Sequence, residues 1–144
     1  MTLTFKRDLD KGLTIEEEVL SLIKNRYPSA TQIDGYCPSY DIWIPEISKS
    51  VEVKSDEKSL ETGNFVIEIE MFGKPSGLLK SKADYWVIFD GINFLWTTPT
   101  KIFECILLNK INYVSFIGNG DSQRKKAILI KKELLGDYLL RGIK

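Results

Sequence analysis

Asp41, in the segment Tyr40-Asp-Ile-Trp-Ile44, is followed ten residues later by Val51-Glu52-Val53-Lys54. Two carboxylates and an amine at this spacing suit one chemistry in particular. A hard divalent cation prefers oxygen donors, often one or two carboxylates completed by water and substrate phosphate. A cation so held can polarise a phosphoryl oxygen and activate water, which is what phosphodiester hydrolysis requires. Side chains alternate along a strand, so Glu52 and Lys54 project from one face of Ser50–Lys54 while Val51 and Val53 project from the other. If the strands carrying Asp41 and Glu52 are adjacent and antiparallel, joined by the turn Pro45–Lys49, the carboxylates converge at one end of the sheet. Lys54 would then orient an attacking water or offset charge on the phosphate.

Composition narrows the field around these residues. The chain has no histidine, which excludes hydrolases built on imidazole and leaves carboxylates, lysine, serine or a hard metal to do the chemistry. Cys37 and Cys105 are far apart and form no C-x-x-C pair, so neither a zinc site nor a disulfide framework is suggested. With 20 basic and 20 acidic residues the net charge is zero, so the chain is not a nonspecific coat for nucleic acid. Basic residues are nonetheless grouped at Lys6, Arg7 and Lys11, at Lys74, Lys80 and Lys82, and from Arg124 to Lys132. Each group is a candidate anion contact or a solvated face. The length of 144 residues suits a single domain over 1–144. No apolar run is long enough to span a bilayer, and the N-terminus lacks the stretch of a signal peptide. A soluble, cytoplasmic protein without a membrane partner is expected.

The elements that must position the chemistry can be placed by periodicity. Ile15, Val19, Leu22 and Ile23 mark one face of a helix over Leu13–Tyr27, with Thr14 as N-cap and Pro28 as terminator. Three segments rich in β-branched and aromatic residues predict strands: Tyr40–Ile44, Ser50–Lys54 and Asn64–Glu70. Gly73–Lys82 is expected to be a basic loop with at most a short helix. Asp84–Phe89 predicts a buried strand, and Asp90-Gly91 a turn into a second strand, Asn93–Thr97. Pro99 can open a helix to about Asn109, with Ile102, Phe103, Ile106 and Leu107 buried. Strands follow at Tyr113–Ile117 and Ala127–Ile130, then a helix over Glu133–Leu140. The tryptophans Trp43, Trp86 and Trp96 are expected in the core, and Asp56 and Lys58 on the surface. The fold class is α/β, with a central β-sheet flanked by helices.

The order helix, Asp41, Glu52-Val53-Lys54 resembles the D…(D/E)-x-K signature of the PD-(D/E)XK nucleases, a group that includes restriction enzymes, Holliday junction resolvases and phage nucleases. Tyr40 stands where the name has proline, and Pro38 is near. A second likeness, to small phage-type members, covers Glu52-Val-Lys-Ser-Asp56, Thr62-Gly-Asn64, Glu68, Lys74-Pro-Ser-Gly77 and Ser81-Lys-Ala-Asp-Tyr-Trp86; together the two span about the first two thirds of the chain. The resemblance implies a restriction-endonuclease-like fold with a mixed sheet. It implies a deoxyribonuclease dependent on Mg²⁺, with Mn²⁺ as a substitute, held by Asp41, Glu52 and the Val53 carbonyl, with Lys54 assisting the attack of activated water. Such enzymes often take a further glutamate from the first helix. A helical wheel favours Glu16, beside Val19 and Ile23, over Glu17, which lies opposite the apolar stripe; Glu16, Glu17 and Glu18 as a plain acidic first turn facing the helix dipole is the alternative.

By the same likeness, DNA phosphate contacts are expected from Asn64, Lys74, Ser76, Lys80, Ser81 and Lys82, against the alternative of a turn and a solvated loop. Glu68 is either a site residue or a solvated strand acid. Branched DNA such as a Holliday junction is the implied substrate, a homodimer the implied assembly, and the host cytoplasm the compartment if the chain is phage-encoded. A non-catalytic DNA-binding or assembly module on the same fold is the rival reading.

Overall fold

The computed structural model describes residues 14–33, 40–117 and 124–141. Its elements follow in the order α1 (Ile15–Lys24), β1 (Thr31–Gln32), β2 (Ile42–Ile44), β3 (Lys49–Ser55), α2 (Ser59–Thr62), β4 (Asn64–Met71), β5 (Lys74–Pro75), β6 (Tyr85–Phe89), β7 (Phe94–Thr97), α3 (Pro99–Leu108), β8 (Tyr113–Phe116), β9 (Lys125–Lys131) and α4 (Lys132–Gly136). Thr14 caps α1: its hydroxyl accepts from the Glu17 amide at 3.1 Å and donates to the Glu17 carboxylate at 3.0 Å, so two groups at the helix start satisfy each other.

A five-stranded mixed sheet, in the order β1-β2-β3-β6-β7, carries the segments singled out above. β2 runs antiparallel to β1 and β3, β3 parallel to β6, and β6 antiparallel to β7. The turn from β2 to β3 is a single 3₁₀ turn, Pro45–Ile47, closed by Ser48 in a left-handed conformation. A second, antiparallel sheet in the order β5-β4-β9-β8 lies beside the first. It departs from the expectation of one central sheet. β4 finds its partner in β9, far along the chain, and a pairing of that sequence separation leaves no local signal.

The strand β6 divides the interior. Tyr85, Val87 and Phe89 pack with Val19 and Ile23 of α1 and with Ile42, Ile44 and Val51 in one core. Trp86 and Ile88 point the other way, into a second core with Phe65, Ile67, Ile128, Ile130, Ile102 and Leu135. Every residue of β6 is therefore buried, as expected for a strand covered on both faces.

Several expectations are corrected. Leu107 is 73% exposed, and Cys105, fully buried, takes the core place on α3 beside Ile102; the apolar stripe passes through 102 and 105, and 107 falls off it. The last helix ends at Gly136, after which the chain lies along β7, with the Leu140 amide donating to the Trp96 carbonyl at 2.7 Å and the Thr97 hydroxyl to the Tyr138 carbonyl at 2.9 Å. Those bonds cover an edge that would otherwise expose unpaired backbone. Trp43 is only partly buried, against Tyr40. Asp56 is a corner rather than a solvated residue: its carboxylate accepts from the Val66 amide at 2.7 Å and ties β3 to β4. In the basic run near β9, Lys125 pairs with Glu68, Lys126 with Glu70 and Lys132 with Asp90, so these lysines staple strands together. Lys6, Arg7, Lys11, Cys37 and Pro38 lie outside the described residues. Among the described residues no helix is long and apolar enough to cross a membrane.

Candidate active site

Asp41 stands just before β2 and grips the β3 backbone on both sides of Glu52. Its amide donates to the Val51 carbonyl at 2.9 Å, and its carboxylate accepts from the Val53 amide at 2.7 Å. These two bonds hold the Asp41 carboxylate beside Glu52, close enough that each raises the other's cost of ionisation. The amide and carbonyl of one strand residue point to the same side. The Val53 carbonyl therefore also faces the β2 side, past the end of that short strand.

Glu52 is 9% exposed. Burial pushes its carboxyl above the ordinary range; Lys54 pulls it down, Asp41 and Glu16 push it up, and the hydroxyl of Ser81 pulls it down. Glu16 is raised as well, first by burial and then by Asp41 and Glu17, against a lowering bond from the side-chain amide of Gln32 at 2.8 Å. Three carboxylates, from α1, the start of β2 and the middle of β3, thus share one electrostatic field. Glu17 is occupied in the helix cap and Glu18 is buried.

On β3, Glu52 and Lys54 face the second sheet, since their parallel neighbours Trp86 and Ile88 belong to that core. The Lys54 ammonium lies 5.5 Å from the centre of the Trp86 ring, a cation–π contact that restrains a flexible side chain. A pocket opens beside it, lined by Lys54, Asp56, Glu68, Gly77, Trp86 and Ile88 among others. The indole Nε1 of Trp86 donates to the Ser81 oxygen at 3.0 Å, and the Ser81 hydroxyl donates to Glu52 Oε2 at 3.5 Å.

The remaining expected contacts divide. Lys74, Lys80 and Lys82 are exposed, and among the described residues none has an ion-pair partner. Ser76 is corrected: it is buried at 9% exposure, turned inward before the 3₁₀ turn at Gly77, where it meets no phosphate. Ser81 points into the site rather than outward. Asn64 closes a local turn with Thr62, its side-chain amide donating to the Thr62 carbonyl at 3.4 Å and its backbone amide to the Thr62 hydroxyl at 3.1 Å. Glu68 lines the pocket and pairs with Lys125 at 3.5 Å. Gln32, Ser81 and Trp86 are the site residues that sequence reasoning did not assign to these roles. Nothing local marks them, because each acts through a residue distant in sequence.

A hard divalent cation fits this donor set. The donors are oxygens, one of the carboxylates is buried, and mutual repulsion among Asp41, Glu52 and Glu16 exceeds what Lys54 alone offsets, leaving Glu52 raised. Among the described residues no three acidic or cysteine side chains converge as a ligand group. Asp41 and Glu52 would supply two ligands, and the Val53 carbonyl is placed to add a third. Compared with family models, curated proteins and solved structures, the chain matches none of them.

Proposed function

We propose that the chain is a divalent-cation-dependent deoxyribonuclease of the PD-(D/E)XK type, with Asp41, Glu52 and Lys54 as its working groups. The observation that carries this reading is the grip of Asp41 on β3 around Glu52, which brings two carboxylates from separate strands together beside a lysine on the same strand. A bound Mg²⁺, or Mn²⁺ in its place, supplies Lewis acidity toward the phosphoryl oxygen and water.

The protein's own groups account for the rest. Asp41 and Glu52 hold the cation through oxygen, and the bond from the Val53 amide keeps Asp41 in one orientation. Lys54, steadied over Trp86, presents its ammonium to the attacking water or to an equatorial phosphate oxygen, where it offsets charge that grows toward the transition state. Glu16 adds negative potential at the cation or accepts a hydrogen bond from its water. The exposed Lys74, Lys80 and Lys82 are suited to phosphates flanking the scissile bond. By resemblance to junction-resolving members, branched DNA is the preferred substrate, and a two-fold pair of copies would place one site on each strand.

A non-catalytic DNA-binding module is the second reading, favoured by the lack of a three-acid ligand group among the described residues. Cleavage of a four-way junction and of linear duplex, in Mg²⁺, in EDTA and with the Lys54→Ala protein, separates the two. The nuclease reading expects cutting in Mg²⁺ only, and a rate lower by about 10²- to 10⁴-fold for Lys54→Ala. Binding without cutting by the intact protein would favour the module instead.

A further inference from the structure

The loop between the 3₁₀ turn at Gly77–Leu79 and β6 has an arrangement that a solvated connection does not need. Ser81 projects inward from it and is held from three sides. Its oxygen accepts from the Trp86 indole at 3.0 Å and from the Ala83 amide at 3.3 Å, so its own proton is directed to Glu52 Oε2. That last contact is long, at 3.5 Å, while the others are ordinary. On either side of Ser81, Lys80 and Lys82 are exposed and without an anionic partner among the described residues. The far end of the loop is pinned: the Ser50 amide and hydroxyl both donate to the Asp84 carboxylate, at 2.9 and 3.1 Å, and the Asp84 amide donates to the Ser50 oxygen at 3.1 Å. Movement of the loop is thereby confined to the segment that bears Ser81 and the two lysines.

We propose that this loop is a substrate-operated support for Glu52: a polyanionic backbone engaged by Lys80 and Lys82 draws Ser81 onto the Glu52 carboxylate and sets its orientation. Ser81 is a positioning residue, acting through Glu52, and Trp86 links it to Lys54, since one face of the indole lies under the ammonium while its N–H fixes the serine. The inference rests on the nuclease reading for its consequence in turnover, but the coupling from loop to Trp86 can be measured without it. Groups that orient a ligand carboxylate typically affect metal affinity or activity by about 10- to 100-fold when removed.

The chain has three tryptophans, Trp43, Trp86 and Trp96, so the indole N–H resonances of ¹⁵N-labelled protein are assigned by single Trp→Phe variants. In metal-free buffer, Ser81→Ala is expected to shift the Trp86 resonance and leave those of Trp43 and Trp96 in place. A short DNA duplex added in EDTA is expected to shift the same resonance in the intact protein and not in Lys80→Gln/Lys82→Gln. In turnover with saturating Mg²⁺, Ser81→Ala is expected to lose about 10- to 100-fold in kcat at nearly unchanged KM, with Ser81→Thr restoring most of it. A wild-type kcat in Ser81→Ala, or a Trp86 resonance indifferent to DNA, would overturn the proposal. If the intact protein cuts no DNA, the nuclease reading fails and the resonance decides alone: a shift that depends on Lys80 and Lys82 supports the coupling, and no shift rejects it.

Discussion

Glu52 carries the heaviest electrostatic cost in the site. Burial first, then Asp41 and Glu16, raise its carboxyl above the ordinary value of 4.5, with Lys54 and Ser81 only partly compensating; Glu16 is raised too, chiefly by burial. A carboxyl raised in the fold contributes stability below its unfolded pKa, and that contribution is lost as pH rises through the folded value. At neutral pH the metal-free protein therefore holds charge it would rather shed. Two outcomes follow for thermal denaturation at pH 7. Glu52→Gln is expected to raise the metal-free Tm, because the amide keeps the shape without the charge. Mg²⁺ is expected to raise the Tm of the intact protein, by on the order of 10 °C at roughly a hundredfold excess over Kd, and the rise should fade as pH drops through the Glu52 value and be absent in Glu52→Gln. An intact protein whose Tm ignores Mg²⁺ at neutral pH would argue against a cation site.

Two turns position the elements on either side of this centre. Gly77 has a φ of 50°, and a Cβ there would run into the Glu68 carbonyl, so the loop bearing Ser81 crosses β4 only because this residue has no side chain. Gly77→Ala is expected to cost about 2–3 kcal/mol, read by urea denaturation, and to lower turnover by displacing Ser81. At the β6–β7 turn, Asp90 accepts from the amides of Ile92 and Asn93 at 2.8 and 2.7 Å and pairs with Lys132 at 3.0 Å. Burial pushes its carboxyl up, but these partners together hold it below the ordinary value. The sign is opposite to that of Glu52: the stability from Asp90 is present above its unfolded pKa and disappears as pH falls through the depressed one. Asp90→Ala should lower stability at pH 7 by about 1.5–3 kcal/mol, and the gap from the intact protein should narrow in acid. A gap independent of pH would assign the loss to packing instead.

Across the whole molecule, β6 is shared by two cores, with Val87 and Phe89 on the α1 side and Trp86 and Ile88 toward the second sheet. Neither core survives loss of the strand. Unfolding should accordingly be one cooperative transition, with far-UV circular dichroism and the fluorescence of Trp86→Phe and Trp96→Phe variants giving the same midpoint after correction for each variant's stability. The two remaining buried indoles report opposite faces, so separate midpoints would mean that the second sheet melts on its own. Ile42→Ala, at a fully buried position next to Asp41, is expected to cost about 2–5 kcal/mol and to weaken activity through the displaced carboxylate.

Periodicity and turn chemistry were enough to place α1 with its Thr14 cap, the β2–β3 hairpin, the β6–β7 turn and the alternation that puts Glu52 and Lys54 on one face, because each depends on residues a few positions apart. Composition alone excluded histidine chemistry. Tertiary structure decided what local pattern cannot encode: that β4 pairs with β9 into a second sheet, that Lys125, Lys126 and Lys132 are tied to acids, that Ser76 turns inward, and that Ser81 and Trp86 stand behind Glu52 and Lys54. Those outcomes depend on which surfaces meet when distant segments pack, and burial, which sets the Glu52 charge state, exists only once they have met.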